Sequence, residues 1–555
     1  MKKTLILLLA VILMLTSCQL TVKNTKSPNV FTVDTLPDIG SFSGLSSEKR
    51  FYDEPVYDFI PSDEYGTIIP YVGTYRVFET PKEEGSDWHF EQGYTTYGFC
   101  TTDGRIVMDA SDSNTYVNYR DTGDGFGFYT VTREIQPKDD APDEYIPDET
   151  WVIALDGSWC LKLSPGAWVS NAGGGYINVC DYPEEAANSN VRTCIYNYHG
   201  KLVKVIDGVD STGGFSNGLL LVSHWTGNGS SSYFVNENGE VVFGPFSYAS
   251  DFNKYGVAAV QDEYGSYLLN TSGERLTEYY ENIYKEYTDD AQDNIFSARP
   301  YGDSERCDIY SGDGNFLGMV VGTSYASFRF PDDGRIIYYY TTYDTNKNGY
   351  ALKNSERMIW RYLDTGEDFV GSQNGVSPNS YSGTDNCFVY VDKENKKGLV
   401  FDKDGKTIAE LDGVSEVVST SEYGEYVIFV EGEYDYEIDE LTGKPKKDTR
   451  KTHIYDSNKK EIVYTVDSYS YAYFADKNKR FIEISVYDAE DMYDMYGGEP
   501  KYTLFDTLSG KAVFENCNDI SVCDVNGKTY INVTTANSTL LCDEKFEIIR
   551  KSYFE

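Results

Sequence analysis

The sequence predicts an all-β protein: an array of small antiparallel sheets repeated along 555 residues. Three observations carry this expectation. One short pattern recurs, an aromatic and two apolar residues followed by a polar turn closing in Gly, as in Tyr233-Phe-Val-Asn-Glu-Asn-Gly-Glu240 and Tyr267-Leu-Leu-Asn-Thr-Ser-Gly-Glu274. Aromatic residues reach 15% beside 49 glycines, a composition that demands extensive burial and frequent chain reversal. Beyond the N-terminus, no window shows a sustained apolar stripe of helical period with caps.

In chain order, Met1-Lys-Lys-Thr4 supplies a positive start and Leu5 to Leu15 an apolar run too short to span a bilayer. The run ends in Leu15-Thr-Ser-Cys18, which resembles the bacterial lipoprotein lipobox. That resemblance implies removal of residues 1–17 and lipid on Cys18. Stable anchoring would then come from more than one acyl chain, at about 0.8 kcal/mol per buried CH₂. Gln19 follows, not the Asp that marks inner-membrane retention in some two-membrane bacteria. Residues 18–65 begin as a stretch rich in Ser, Thr, Asn, Lys and Pro, which reads as a tether. The expected location is the cell envelope, lipid-anchored on the extracytoplasmic face.

The repeated unit begins upstream, at Tyr97-Gly-Phe-Cys-Thr-Thr-Asp-Gly104, Trp151-Val-Ile-Ala-Leu-Asp-Gly157 and Cys194-Ile-Tyr-Asn-Tyr-His-Gly200. In the centre, Phe215-Ser-Asn-Gly-Leu-Leu-Leu-Val222 and Phe252-Asn-Lys-Tyr-Gly-Val-Ala-Ala-Val260 each precede one of the two turns quoted first. Further turns follow at Ile309–Gly314, Tyr362–Gly366, Leu399–Gly405, Ile454–Lys459, Leu504–Gly510 and Leu541–Lys545. They recur about every 35 to 55 residues, within the period of propellers and related arrays. Each copy is one small sheet that cannot bury its own faces without neighbours.

The pairing of F-x-x-G-[LV]-x-x-V with Y-[FL]-[VL]-N-x-x-G-E, clearest from Phe215 to Leu276, resembles the bacterial WG (KWG-type) repeat, although the Trp-Gly pair is missing. Tyr502-Thr-Leu-Phe-Asp-Thr-Leu-Ser-Gly-Lys511 is similar to the blade turn of PQQ-type or lactonase-type propellers. Both resemblances imply stacked β units, and neither transfers a catalytic residue. The expected architecture is a β-propeller, one large or two in tandem, with an open curved WG-type array as the alternative. Closure is favoured because it hides strand edges. The WG-like region is placed at 66–320 and a more degenerate propeller-like region at 321–555.

A formal charge of −41 argues against nucleic acid, whose phosphates need a basic footprint. Cations, sugars, cationic peptides and other proteins fit better. Nine cysteines remain after Cys18, an odd number; Cys180/Cys194 and Cys517/Cys523 are near enough in sequence to suspect bridges. The segment Tyr426 to Glu440 is acidic and strand-like and turns into Lys446, Lys447, Arg450 and Lys451, predicting a hairpin with opposed charges. Tyr487 to Pro500 reads as a long acidic loop.

Candidate chemistry is sparse. Gly214-Phe-Ser-Asn-Gly218 fits the G-x-S-x-G elbow, but Ser216 is the repeat counterpart of Asn253, so the serine belongs to a strand start. His89, His199, His224 and His453 show no metal-ligand spacing. Asp344-Thr-Asn-Lys-Asn-Gly-Tyr350 starts like a calcium loop, yet Ser355 stands where the closing Glu belongs, and Asx-rich turns produce such strings. No catalytic residue, cofactor or metal is therefore expected. The tyrosines could stack on sugars or peptide side chains, with no subset distinguished. The expected function is non-enzymatic binding of a protein or glycan partner by an anchored β-repeat body. The alternatives are an anchored glycan-processing propeller enzyme using Asp/Glu chemistry and a structural envelope spacer.

Overall fold

The computed structural model describes residues 59–553 except 80–90, 111–114, 134–147, 182–190, 287–294, 348–356, 370–383, 435–446, 487–499 and some single or paired loop positions. Among the described residues there is no helix, and forty strands form eleven small antiparallel sheets. Each sheet has three or four strands in simple up-and-down order. This is the propeller-blade architecture the repeats predict. The sheets, numbered here in chain order, span 68–108, 115–162, 168–207, 210–246, 248–270, 282–321, 327–362, 387–412, 414–466, 470–517 and 519–553. The chain divides into two compact units. Of the described residues, one unit, within Gly208–Ser324, holds sheets 4 to 6; the other, within Phe42–Asp207 and Tyr325–Glu555, holds the remaining eight.

The recurring turn has a local cause. In sheet 5 the Asn270 amide donates to Glu274 O and the Gly273 amide to Asn270 O, both at 3.0 Å. The Asn270 side-chain oxygen accepts from the amides of Ser272 and Glu274, and its Nδ2 donates to the Glu274 carboxylate. Asn236 repeats every one of these contacts with Asn238 and Glu240. Gly273 and Gly239 sit at φ of 82° and 76°, which glycine reaches without steric cost. Each is a tight turn followed by a one-residue bulge. The recurring Asn, Gly and Glu are thus a self-contained hydrogen-bonding device. Asp402 and Asp543 use the same side-chain acceptor geometry. In the latter, Phe546 rather than Gly takes the left-handed place, at φ of 64°.

Continuous apolar runs reflect burial on both faces of a sheet. In the smaller unit, Ala258 and Val260 pack with Phe234, Phe243 and Phe252 on the side of sheet 4. Their neighbours Val257 and Ala259 face Ile283, Phe296 and Ala298 of sheet 6. In the larger unit, Ile482, Ile484 and Phe505 of sheet 10 pack toward sheet 9, while Phe481 and Leu504 pack toward sheet 11.

Sheets 1 and 11, at opposite ends of the chain, share one core: Phe59, Ile69, Tyr71 and Phe99 meet Val525, Tyr530 and Leu541. The first strand, Ile68–Glu79, has an edge not paired within its sheet. Side chains of sheet 11 satisfy it: Asn532 Oδ1 accepts from the Val72 amide, Asn532 Nδ2 donates to Pro70 O, and Thr539 Oγ1 donates to Val72 O.

All nine cysteines after Cys18 are free thiols, so neither suspected bridge forms. Cys180 lies opposite Thr193 in the ladder, which points Cys194 to the other face of sheet 3. Cys517 and Cys523 belong to different sheets.

Candidate functional site

Sheet 10 opens at Ser470, just after Tyr469, and its first strand carries Tyr471 and Tyr473 at alternate positions, which sends both to one face. The strand Ser470–Phe474 buries Ser470 and Ala472. Tyr471 and Tyr473 are 58% and 49% exposed. Ala472 faces sheet 9, so the tyrosines lie on the side of sheet 11. Tyr473 is opposite Glu483, and Tyr471 opposite Ser485, which is in turn opposite Tyr502.

Charged groups flank this row. Arg450, braced by Asp448 at 2.7 Å, holds its guanidinium 4.1 Å from the Tyr434 ring centre and 4.2 Å from that of Tyr469. Tyr469 packs edge-on against Tyr471, centroids 5.5 Å apart. Burial raises the Tyr469 hydroxyl pKa, and the exposed Glu416 carboxylate of sheet 9 adds to the shift. At the other end, Glu483 is 5% exposed and hydrogen-bonds Tyr473. Burial, helped by the Asp519 carboxylate of sheet 11 and opposed by that hydrogen bond, pushes Glu483 up to about 7. Burial and Asp519 likewise raise Tyr97 of sheet 1. The site is a row of tyrosine faces with carboxylates along it and one guanidinium already seated at its end.

A raised folded-state pKa means the folded form holds the proton more tightly than the unfolded chain does. Glu483 therefore contributes fully below its unfolded pKa of about 4.3, and that contribution is lost as pH rises through 7. Glu483→Gln should gain stability relative to the parent between pH 5 and pH 8, by roughly 2 kcal/mol. Parallel urea titrations at the two pH values measure the difference; a gap independent of pH contradicts the assignment.

Of the residues singled out in the sequence, Arg450 of the acidic–basic hairpin reaches this row, and the others do not converge on it. Cys18, His89, Asp344 and the loop 487–499 lie outside the described residues. Ser216 exchanges backbone hydrogen bonds with Leu219 across a tight turn, and Asn217 ties that turn to Asn253 O, as the repeat alignment requires. His199 occupies a turn; His224 Nδ1 contacts Gly208 O; His453 contacts Thr465 and Glu431. The acidic–basic hairpin is seen at its base, where Glu431 is opposite Lys451 and Glu433 binds both Lys396 and Lys447. Among the described residues, no group of three or more His, Cys, Asp and Glu is placed to hold a metal ion. Sequence reasoning missed the Tyr469–Tyr473 row because 50 tyrosines offer many alternations. Its period-two spacing was the available signal.

No protein-family model matches the chain, and no curated protein matches it. Similar solved structures include that of a eukaryotic initiation factor, at 10% identity over 82% of this chain and 96% of that chain, TM-score 0.40. BamB from Moraxella catarrhalis matches at 10% over 57% and 95%, TM-score 0.26. Apo AztD from Citrobacter koseri matches at 11% over 69% and 92%, TM-score 0.26. Likenesses at that level assign neither a family nor an activity.

Proposed function

We propose that this chain is a lipid-anchored envelope protein whose β-repeat body binds a protein or glycan partner without transforming it. One observation carries the binding reading: the first strand of sheet 10 presents two half-exposed tyrosines beside acidic side chains. Rings with a polar tip are effective recognition surfaces because they bury large apolar area and lose little conformational freedom. The anchoring part rests on Leu15-Thr-Ser-Cys18.

Two experiments test the two parts. Cys18→Ala should abolish lipid labelling and move the protein out of the membrane fraction; retained labelling overturns the anchor. For binding, the purified chain is applied to arrays of glycans and of peptides. Retention of one class, weakened by Tyr471→Ala with Tyr473→Ala, supports the reading, and failure to retain any overturns it.

The raised pKa of Glu483 beside Asp519 favours one alternative, a glycan-processing enzyme with a protonated acid near neutral pH. Release of product from an oligosaccharide by the parent but not by Glu483→Gln would establish it in place of the binding reading.

A further inference from the structure

We infer that the tyrosine row of sheet 10 recognises the guanidinium or ammonium groups of an extended cationic polypeptide segment. The inference rests on the binding reading above and names its ligand.

Three observations support this partner. The protein fills the end of the row with such a group itself: the Arg450 guanidinium lies between Tyr434 and Tyr469 with Asp448 beneath it. The aromatic face of tyrosine attracts cations, arginine most often, and a neighbouring carboxylate reinforces the contact. Tyr471 and Tyr473 continue the row outward with about half their surface exposed. They have the Glu416 carboxylate near one end and that of Asp519 near the other, as Arg450 has Asp448.

The second observation is pitch. Alternate residues of a strand are about 6.6–6.8 Å apart, so Tyr471 and Tyr473, both in the strand Ser470–Phe474, stand at the side-chain spacing of an extended peptide. A segment with a basic residue at every second position would place successive cations over successive rings. The third is charge. A chain at −41 attracts a cationic segment from a distance and repels an anionic one.

The test uses the full chain in detergent and a labelled, end-capped (Gly-Arg)4 peptide, with (Gly-Glu)4 and a neutral tetrasaccharide as comparisons. The expected result is saturable binding of (Gly-Arg)4 alone. Tyr471→Ala combined with Tyr473→Ala should weaken it about 5- to 30-fold, while the two Tyr→Phe changes retain most of it. Both positions are exposed and neither Ala variant alters net charge, so diffuse attraction to an acidic surface would survive the change. Equal binding by parent and the double Ala variant overturns the inference. Binding of the tetrasaccharide but not of (Gly-Arg)4 overturns it too, while leaving a binding role intact. Binding of none of the three overturns it as well.

Discussion

Gly104→Ala is expected to destabilise the protein by about 3 kcal/mol, combining a left-handed backbone penalty with a collision against main chain. Gly104 closes the first repeat turn at φ of 84°. An added Cβ would lie 2.4 Å from Ile549 O, in the last strand, Ile548–Tyr553. A main-chain carbonyl cannot swing aside as the end of a long side chain can, so sheet 1 and sheet 11 would have to separate locally. Gly125 provides the internal comparison. It takes the same place in the turn joining the first two strands of sheet 2, at φ of 89°, with nothing within 4 Å of the added atom. Gly125→Ala should therefore lose only the conformational part, about 1 kcal/mol. Urea unfolding of both variants measures the difference. Equal losses would mean that the first turn does not rest on the last strand.

Asn532→Leu should cost about 3 kcal/mol, although it keeps the same number and branching of side-chain heavy atoms. Asn532 is 3% exposed and bridges Pro70 O and the Val72 amide on the edge of the first strand, both at 3.2 Å. Leucine would leave those two backbone groups facing an apolar surface, and each buried polar group stripped of its partner costs about 1–3 kcal/mol. Thr539 adds a third tie, at 2.8 Å to Val72 O, and remains in the variant. Hydrogen exchange gives a specific readout. The Val72 amide should exchange much faster in Asn532→Leu, while amides between Val257 and Asp262, in the smaller unit, stay protected. Unchanged protection at Val72 would show that something else closes that edge.

These two substitutions mark where reading the chain in one dimension stops. Gly104 was legible as a turn glycine because Thr101 to Arg105 make their own hydrogen bonds. Its approach to Ile549 was not, because 444 positions intervene between Gly104 and Ile549 in the sequence. Asn532 carries no motif at all; it looks like one more polar residue in a strand until the first strand is laid beside it. The same limit applies to Tyr471 and Tyr473. Their alternation in a strand gives them a shared face, but only packing against sheets 9 and 11 decides which face stays open. The suspected cysteine bridges failed for a related reason, since nearness in sequence says nothing about which side of a sheet a thiol occupies.

By itself the sequence determined that this protein is built from small antiparallel sheets, and where most of them turn. Each turn is decided within five residues, by an Asx or hydroxyl acceptor and a residue able to adopt positive φ, so nothing distant is needed. Tertiary structure alone decided which sheets touch, how the first strand's edge is satisfied and which tyrosines face outward. Those outcomes depend on the two buried faces of every sheet finding partners, and that is settled by three-dimensional packing rather than by neighbours along the chain.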